Sequence, residues 1–351
     1  MTTYLVTGGC GFIGSNFIRF LLNKYDDVKI VNLDALTYAG NLENLSEYDK
    51  DERYVFMKGS ICDEKTVEKL FDEYDADFVV NFAAESHVDR SIKMPMIFVE
   101  TNVKGTAVLL NAAKKAWQTR SGFKSGKKYL QVSTDEVYGA LGKTGMFCET
   151  TPLNPHSPYS ASKASADMLT KAYFDTFGLP VNITRCSNNY GPYQFPEKLI
   201  PLVYNNCLTG KNIPVYGDGL QIRDWLYVED HCKAIDLVLN KAECGEIYNI
   251  GGHNEKTNIF IVESIIDYVK KNVENSCSKE LIVHVADRLG HDKRYAIDPS
   301  KITKDLGWKP ETKFEDGIIK TLNWYKDNSE WMKRVINGDY RAYYKSQYGD
   351  N

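Results

Sequence analysis

TYLVTGGCGFIGSNFIRFLLNKYDDVKIVNLD, residues 3–34, opens on a short apolar run and passes into three spaced glycines. An apolar-periodic stretch from Phe12 to Leu22 follows, and then a second apolar run, Val28 to Leu33, that ends on Asp34. The order is strand, glycines, helix, strand, acid. Gly8, Gly11 and Gly14 make GxxGxxG at the strand–helix junction. Glycines there allow a tight turn and let backbone N–H groups approach a pyrophosphate at the helix N-terminus. A carboxylate at Asp34 suits ribose hydroxyls and repels a 2′-phosphate, which favours NAD over NADP.

Outward from this stretch the alternation continues. Strand signals recur at Arg53–Met57, Phe78–Phe82 and Tyr129–Ser133, separated by helical runs at Lys65–Asp72 and Met96–Trp117. Strands alternating with helices predict a doubly wound, parallel, Rossmann-type α/β sheet. The second half is less regular. Prolines cluster at Pro192, Pro196, Pro201 and Pro214, YGDG at 216–219 reads as a turn, and helices are expected at Asp230–Asn240, Ile259–Asn272 and Phe314–Asp327. The expected division is a cofactor domain over 1–185 and 225–250, and a smaller mixed α/β substrate domain over 186–224 and 251–351. Six basic residues and no acids lie between Lys114 and Lys128, around SGFKSG; this reads as a solvated surface excursion. The tyrosine-rich tail NGDYRAYYKSQYGDN is expected to pack as an ordered extension.

Composition narrows the class. The chain has 351 residues, 43% hydrophobic and 26% charged, and a net charge of −4. Such a balance argues against a general binder of nucleic acids or anionic membranes. No apolar run approaches a membrane span, and the opening residues lack the basic region of a signal peptide. The eight cysteines form no CxxC pair and the six histidines no metal pattern, so no metal is expected and a reducing compartment, the cytoplasm, fits best.

Two further segments carry chemistry. Tyr159-Ser-Ala-Ser-Lys163 places a phenol and an ammonium at i and i+4, on one face of a helix announced by Ser157-Pro158. A nearby cation lowers a phenol's pKa, so such a pair can take a proton from an alcohol while hydride leaves. Val132-Ser-Thr-Asp-Glu-Val-Tyr-Gly139 ends a strand, where open α/β sheets bind ligands. Adjacent carboxylates at Asp135 and Glu136 repel each other, so one can act as acid and the other as base.

GGCGFIGS, NFAAESHVDRSI, STDEVYG, YSASK, NNYGPYQFPEKLIP and DRLGHDKRYAID together resemble the nucleotide-sugar 4,6-dehydratases of the extended short-chain dehydrogenase/reductase superfamily. The likeness runs from Leu5 almost to the end of the chain. Epimerases of that superfamily usually carry a non-acidic pair in place of Asp135-Glu136; an epimerase or a UDP-glucuronate decarboxylase is the alternative. The resemblance implies a lyase that takes a dTDP- or UDP-linked glucose to its 4-keto-6-deoxy form, in deoxysugar and rhamnose-precursor synthesis. It implies Tyr159 as the base at the 4-hydroxyl with Lys163 beside it, Glu136 as the base at C5, Asp135 as the acid at the 6-hydroxyl, and Thr134 at the 4-oxygen. It further implies cofactor contacts from Phe12, Ile13, Leu36, Thr37, Ser60, Ile61, Ala83, Ala84, Thr101 and Asn189. Substrate contacts are implied for Glu85, His87, Asn188, Lys198, Leu199, Pro214, Tyr216, Arg223, Asn258, Arg288 and His291. His87 reads equally as a structural histidine. Ser60 stands where the family often has an acid, and Leu289 where it usually has proline. A homodimer through a four-helix bundle is implied as well.

Overall fold

A computed structural model of the chain describes residues 1–273 and 277–336. Seven strands form the main sheet: β1 (Thr2–Thr7), β2 (Val28–Asp34), β3 (Tyr54–Lys58), β4 (Phe78–Asn81), β5 (Lys128–Thr134), β6 (Val181–Cys186) and β7 (Ile247–Ile250). They run in the order β7-β6-β5-β4-β1-β2-β3, every pair parallel. The strands read as continuous apolar runs because both faces are covered. Phe17, Ile18, Leu21, Ile235 and Val238 pack in the core on one side, and Val67, Leu70, Leu109 and Trp117 in that on the other. Strand order reverses between β1 and β4, so the loops after these two strands diverge and open a cleft at their carboxyl ends.

A second core gathers Tyr204, Ile265, Phe314 and Tyr325 around a three-stranded sheet of Asn188–Tyr190, Ile222–Tyr227 and Glu255–Thr257. The chain passes between the two cores more than once. Trp225–Tyr227 pairs with Asn188–Tyr190, whereas Val228–Lys241 and β7 return to the first core. Ile302 and Trp308, on the substrate side of the expected division, also pack in the first core, which moves residues 300–308 across it.

One expected element changes. Met96–Trp117 is not one α-helix: Pro95–Phe98 forms a short turn, Val99–Lys104 is π-helical, and the α-helix proper is Gly105–Trp117. Gly105 lies so close to Ile61 that a Cβ there would sit 2.5 Å from its Cδ1. The basic excursion is the exposed surface segment expected, and it carries a small hairpin that pairs Gln118–Thr119 with Gly122–Phe123. Its two buried lysines are neutralised locally. Lys127 pairs with Asp77 at 2.9 Å, and buried Lys128 donates to the carbonyls of Val238 and Ala242 at the end of the Val228–Lys241 helix. The tail from Asn337 lies outside the described residues.

Candidate functional site

The first cleft begins at the glycines. Gly8 sits at φ +69°, and a Cβ on it would lie 2.7 Å from the Ala83 nitrogen. A Cβ on Gly14 would lie 2.4 Å from the Gly8 carbonyl oxygen. The turn is therefore closed to any side chain. Gly11 caps the Phe12–Lys24 helix without a side-chain hydrogen bond, so no side chain intervenes at the N-terminus formed by Phe12 and Ile13. Asp34 is buried at the end of β2. Its Oδ2 accepts from the Cys10 N–H at 2.9 Å and its Oδ1 from the Leu36 N–H at 2.8 Å. Burial raises its pKa, and the two backbone donors oppose that rise. A close-packed glycine turn, an uncapped helix start and a pre-oriented carboxylate are what a dinucleotide requires; the residues fit NAD.

The other cofactor-side candidates fall around this cleft. Thr37, Ser60, Ile61, Ala83, Ala84, Thr101 and Asn189 line it, whereas Leu36 does not and serves through its backbone N–H. Ser60 Oγ accepts from the Cys62 N–H at 3.1 Å.

The reactive groups stand at the inner end. Thr134 closes β5 and caps the turn Asp135–Tyr138; its Oγ1 accepts from the Glu136 N–H and donates to Asp135 Oδ1, each at 3.3 Å. Tyr159 and Lys163 come from the Pro158–Phe177 helix, whose capping box of Ser157 and Ser160 fixes its start. Lys163 Nζ donates to the Val132 carbonyl at 2.7 Å, and burial lowers its pKa against the pull of Asp167. The sequence alone pictured the ammonium as the group holding the phenol down. In the chain, burial and then Glu136 push the Tyr159 pKa well up, and a hydrogen bond with Thr134 opposes them.

The two carboxyls differ in surroundings. Asp135 is buried, and its Oδ2 finds no hydrogen-bond partner among the described residues. Burial, then Glu136 and Asp224, raise its pKa well above the carboxylate range. Glu136 is half-buried; burial raises it, but Arg223, Lys198 and Arg288 all counter that rise. Both carboxyls are raised, Asp135 well above its usual range, and Glu136 has three cations opposing the rise where Asp135 has Arg223.

Glu136, Asn188 and Lys198 also line a second cavity, which continues from the first. His87, Leu199, Pro214, Tyr216, Arg223, Asn258, Arg288 and His291 surround it. Glu85 and Thr134, expected with these, line the first cavity instead. Arg288 is held bidentately by Asp89 at 2.6 and 2.8 Å and lies over the Tyr216 ring. Arg223 donates to the Asp292 carbonyl at 2.9 Å and stacks on Tyr295. His87 is buried, and burial with Lys198, Arg288 and Arg90 keeps it neutral. His291 Nδ1 pairs with Asp287 at 2.6 Å.

Several residues at the site escaped the sequence reading. Asp89 aligns Arg288. Asn102, carried by the π-helical turn, accepts from the Glu85 N–H and donates to both the Glu85 carbonyl and Ser162 Oγ. Asp224 accepts from the N–H groups of Gly252 and Asn254 behind Asp135. The signal for Asp89 lay in SHVDRS itself, an acid two positions from the histidine already singled out.

Tyr159, Lys163 and two unlike carboxyls beside a dinucleotide cleft define an oxidoreductase-type fold adapted to acid–base chemistry on a second ligand. A family model described as GDP-mannose 4,6 dehydratase matches residues 5–321. The chain is 51% identical to the dTDP-glucose 4,6-dehydratase of Xanthomonas campestris pv. campestris (strain B100), over 97% of this chain and 98% of that protein. The solved dTDP-glucose 4,6-dehydratase of Bacillus anthracis str. Ames, in complex with NAD, superposes with a TM-score of 0.86 at 51% identity, covering 95% and 100% of the two chains. That of Streptomyces venezuelae, with NAD and dTDP bound, gives 0.88 at 46% identity, with 95% and 100% covered. The chain belongs to the dTDP-glucose 4,6-dehydratase family.

Proposed function

We propose that this chain is an NAD-dependent hydro-lyase that converts dTDP-glucose to the 4-keto-6-deoxyglucose nucleotide and water. The observation that carries the reading is the contrast between Asp135 and Glu136: adjacent carboxyls, one fully buried with an oxygen that no described residue bonds, the other half-buried and facing Arg223, Lys198 and Arg288. Bound NAD supplies a hydride acceptor at C4 and a hydride donor at C6. Tyr159 Oη acts as a phenolate, the form that the Thr134 hydrogen bond and the positive charge of bound NAD would favour against burial, and takes the proton of the sugar 4-hydroxyl while Thr134 orients that oxygen. The 4-ketone acidifies C5, and Glu136 removes the C5 proton. Asp135 gives its proton to the 6-hydroxyl, which leaves as water. Glu136 then returns a proton to C5. The proton gained by Tyr159 equals the one spent by Asp135, and the Thr134 hydroxyl bonds both residues. Each acid or base contributes about 10²–10⁴-fold.

Arg223, Arg288 and Lys198 converge where a diphosphate needs cations. Residues 1–185 and 225–250 are assigned to the cofactor and 186–224 and 251–351 to the nucleotide sugar, with 300–308 packed against the former. A homodimer is part of the same reading, supported by Met94, Met96, Val99 and Met168, large side chains exposed on the helical segments flanking Tyr159. So are a cytoplasmic location, which rests on the cysteine usage, and a place before rhamnose-type deoxysugar synthesis. Mass spectrometry of the product tests the reaction. Loss of one water, with deuterium gained at C5 in heavy water, is expected. A product of unchanged mass identifies a 4-epimerase and overturns it, as does loss of carbon dioxide when UDP-glucuronate is offered instead.

A further inference from the structure

The cofactor cleft is bridged by side chains that the mechanism does not use. One rim is the turn after Asp34, where Thr37, Ala39 and Gly40 line the cavity; the other is 194–197, where Gln194, Phe195 and Glu197 line it. Tyr38 spans the gap. Its hydroxyl donates to Glu197 Oε1 at 3.1 Å, and its ring packs edge-on against Phe195, with centroids 5.8 Å apart. Arg90, from the Val88–Lys93 turn, covers the other face of that ring at 3.6 Å from the centroid. The Arg90 Nε is buried and makes no hydrogen bond among the described residues, so the ring is a principal partner for its charge.

The backbone marks the same two rims. Three non-glycine residues among those described have positive φ, and two of them are Leu36 at +51° and Tyr193 at +67°. Each stands just before its rim. Such conformations are costly for side-chain-bearing residues and persist where the surroundings hold them. Tyr193 is held by Arg19 at 4.5 Å and Trp324 at 4.4 Å, and Leu36 by its bond to Asp34. Strain on both sides of a bridged cleft is the geometry of a fastened clasp.

We propose that Arg90, Tyr38 and Glu197 form a strap that closes the adenosine end of the cleft and sets the rate at which the dinucleotide exchanges. The strap rests on the reading above that this cleft holds NAD. It explains how an enzyme that regenerates its cofactor within each cycle keeps it between cycles: the two rims belong to different parts of the chain, and the dinucleotide leaves only when they part.

The test is exchange of holoenzyme NAD against an excess of its fluorescent etheno-adenine analogue. Tyr38→Phe keeps the ring beneath Arg90 and removes only the bond to Glu197. It is expected to exchange about 10-fold faster than the parent, the worth of one hydrogen bond to a charged acceptor. Glu197→Leu, which removes the acceptor, should do the same, and the double variant should be no faster than either alone, because one bond is lost in all three. The melting temperature of the cofactor-stripped chain should barely move in Tyr38→Phe. Parental exchange rates in both single variants overturn the strap, and so do effects that multiply in the double variant. A fall in the stripped chain's melting temperature without faster exchange overturns it too, as the mark of a merely structural bond. Failure of the parent to hold NAD at all would instead overturn the proposed function.

Discussion

The two cavities that meet at Glu136 are built by different means. The cofactor side is a matter of backbone. Its turn is shaped by glycines that leave no room for a side chain, and its carboxylate is aimed by two N–H groups within three dozen residues of the start. The sugar-nucleotide side is a matter of charge. Arg288 is aimed by Asp89, 199 residues away in sequence, and Arg223 by a carbonyl 69 residues away. Backbone sites are local and tolerate no added atom. Charge sites are long-range and tolerate shape changes, but not the loss of a partner.

The largest expected effect falls where the two meet. Glu136→Gln should lower kcat by about 10²–10⁴-fold and leave reduced cofactor on the enzyme, read as nicotinamide absorbance, because oxidation at C4 precedes its step. Normal turnover would remove Glu136 from the base role. Next, Gly14→Ala and Asp89→Asn should separate the two sides. Gly14→Ala forces a methyl against the Gly8 carbonyl and should weaken NAD retention by about 10–100-fold, with cofactor content after gel filtration as the measure. Asp89→Asn leaves Arg288 without its counter-charge. It should raise KM for the nucleotide sugar by about 10-fold, while retained NAD stays at the parental level. If each variant damages both ligands equally, the two sides are not built independently.

A finer prediction concerns pH. The Asp135 carboxyl is raised by burial, so its protonated form supports the fold below the ordinary carboxylate range. That support is lost as pH climbs toward the raised value. Asp135→Asn removes the loss. Melting curves should therefore show the variant gaining on the parent between about pH 4 and neutrality, even though its activity is gone. Equal pH slopes would show that Asp135 ionises normally. The smallest effect is expected at the surface: Lys124→Ala breaks an exposed pair with Asp75 and should change stability by less than about 0.5 kcal/mol in urea unfolding.

The same contrast explains what could be read in the sequence. Strand, glycines, helix and acid are encoded by spacing within 32 residues, and the structure returns them with edges shifted by a residue or two. Phe314–Asp327 is recovered at both ends. Thr134, Asp135 and Glu136 were legible because they end a strand at the carboxyl edge of the sheet. Lys163 was legible in place but not in aim, since only the packed β5 backbone puts the Val132 carbonyl before its ammonium. The break at Val99–Lys104 was hidden, because the polar run ETNVKG at 100–105 fits the solvent face of one continuous helix as well as an interruption. Asp89, Asp224 and Glu197 look like solvated acids until long-range folding buries them beside their partners.

The strand at Ile247–Ile250 has a consequence for the newborn chain. β6, Val181–Cys186, is buried along its whole length, and the neighbour that finishes its outer edge is made only after the ribosome has moved from 186 to 247. Until then the growing sheet offers an apolar row of unpaired N–H and C=O groups, the feature by which nascent chains find one another. A fragment ending near residue 240 should keep that open rim and precipitate, whereas one ending after 250 has closed it.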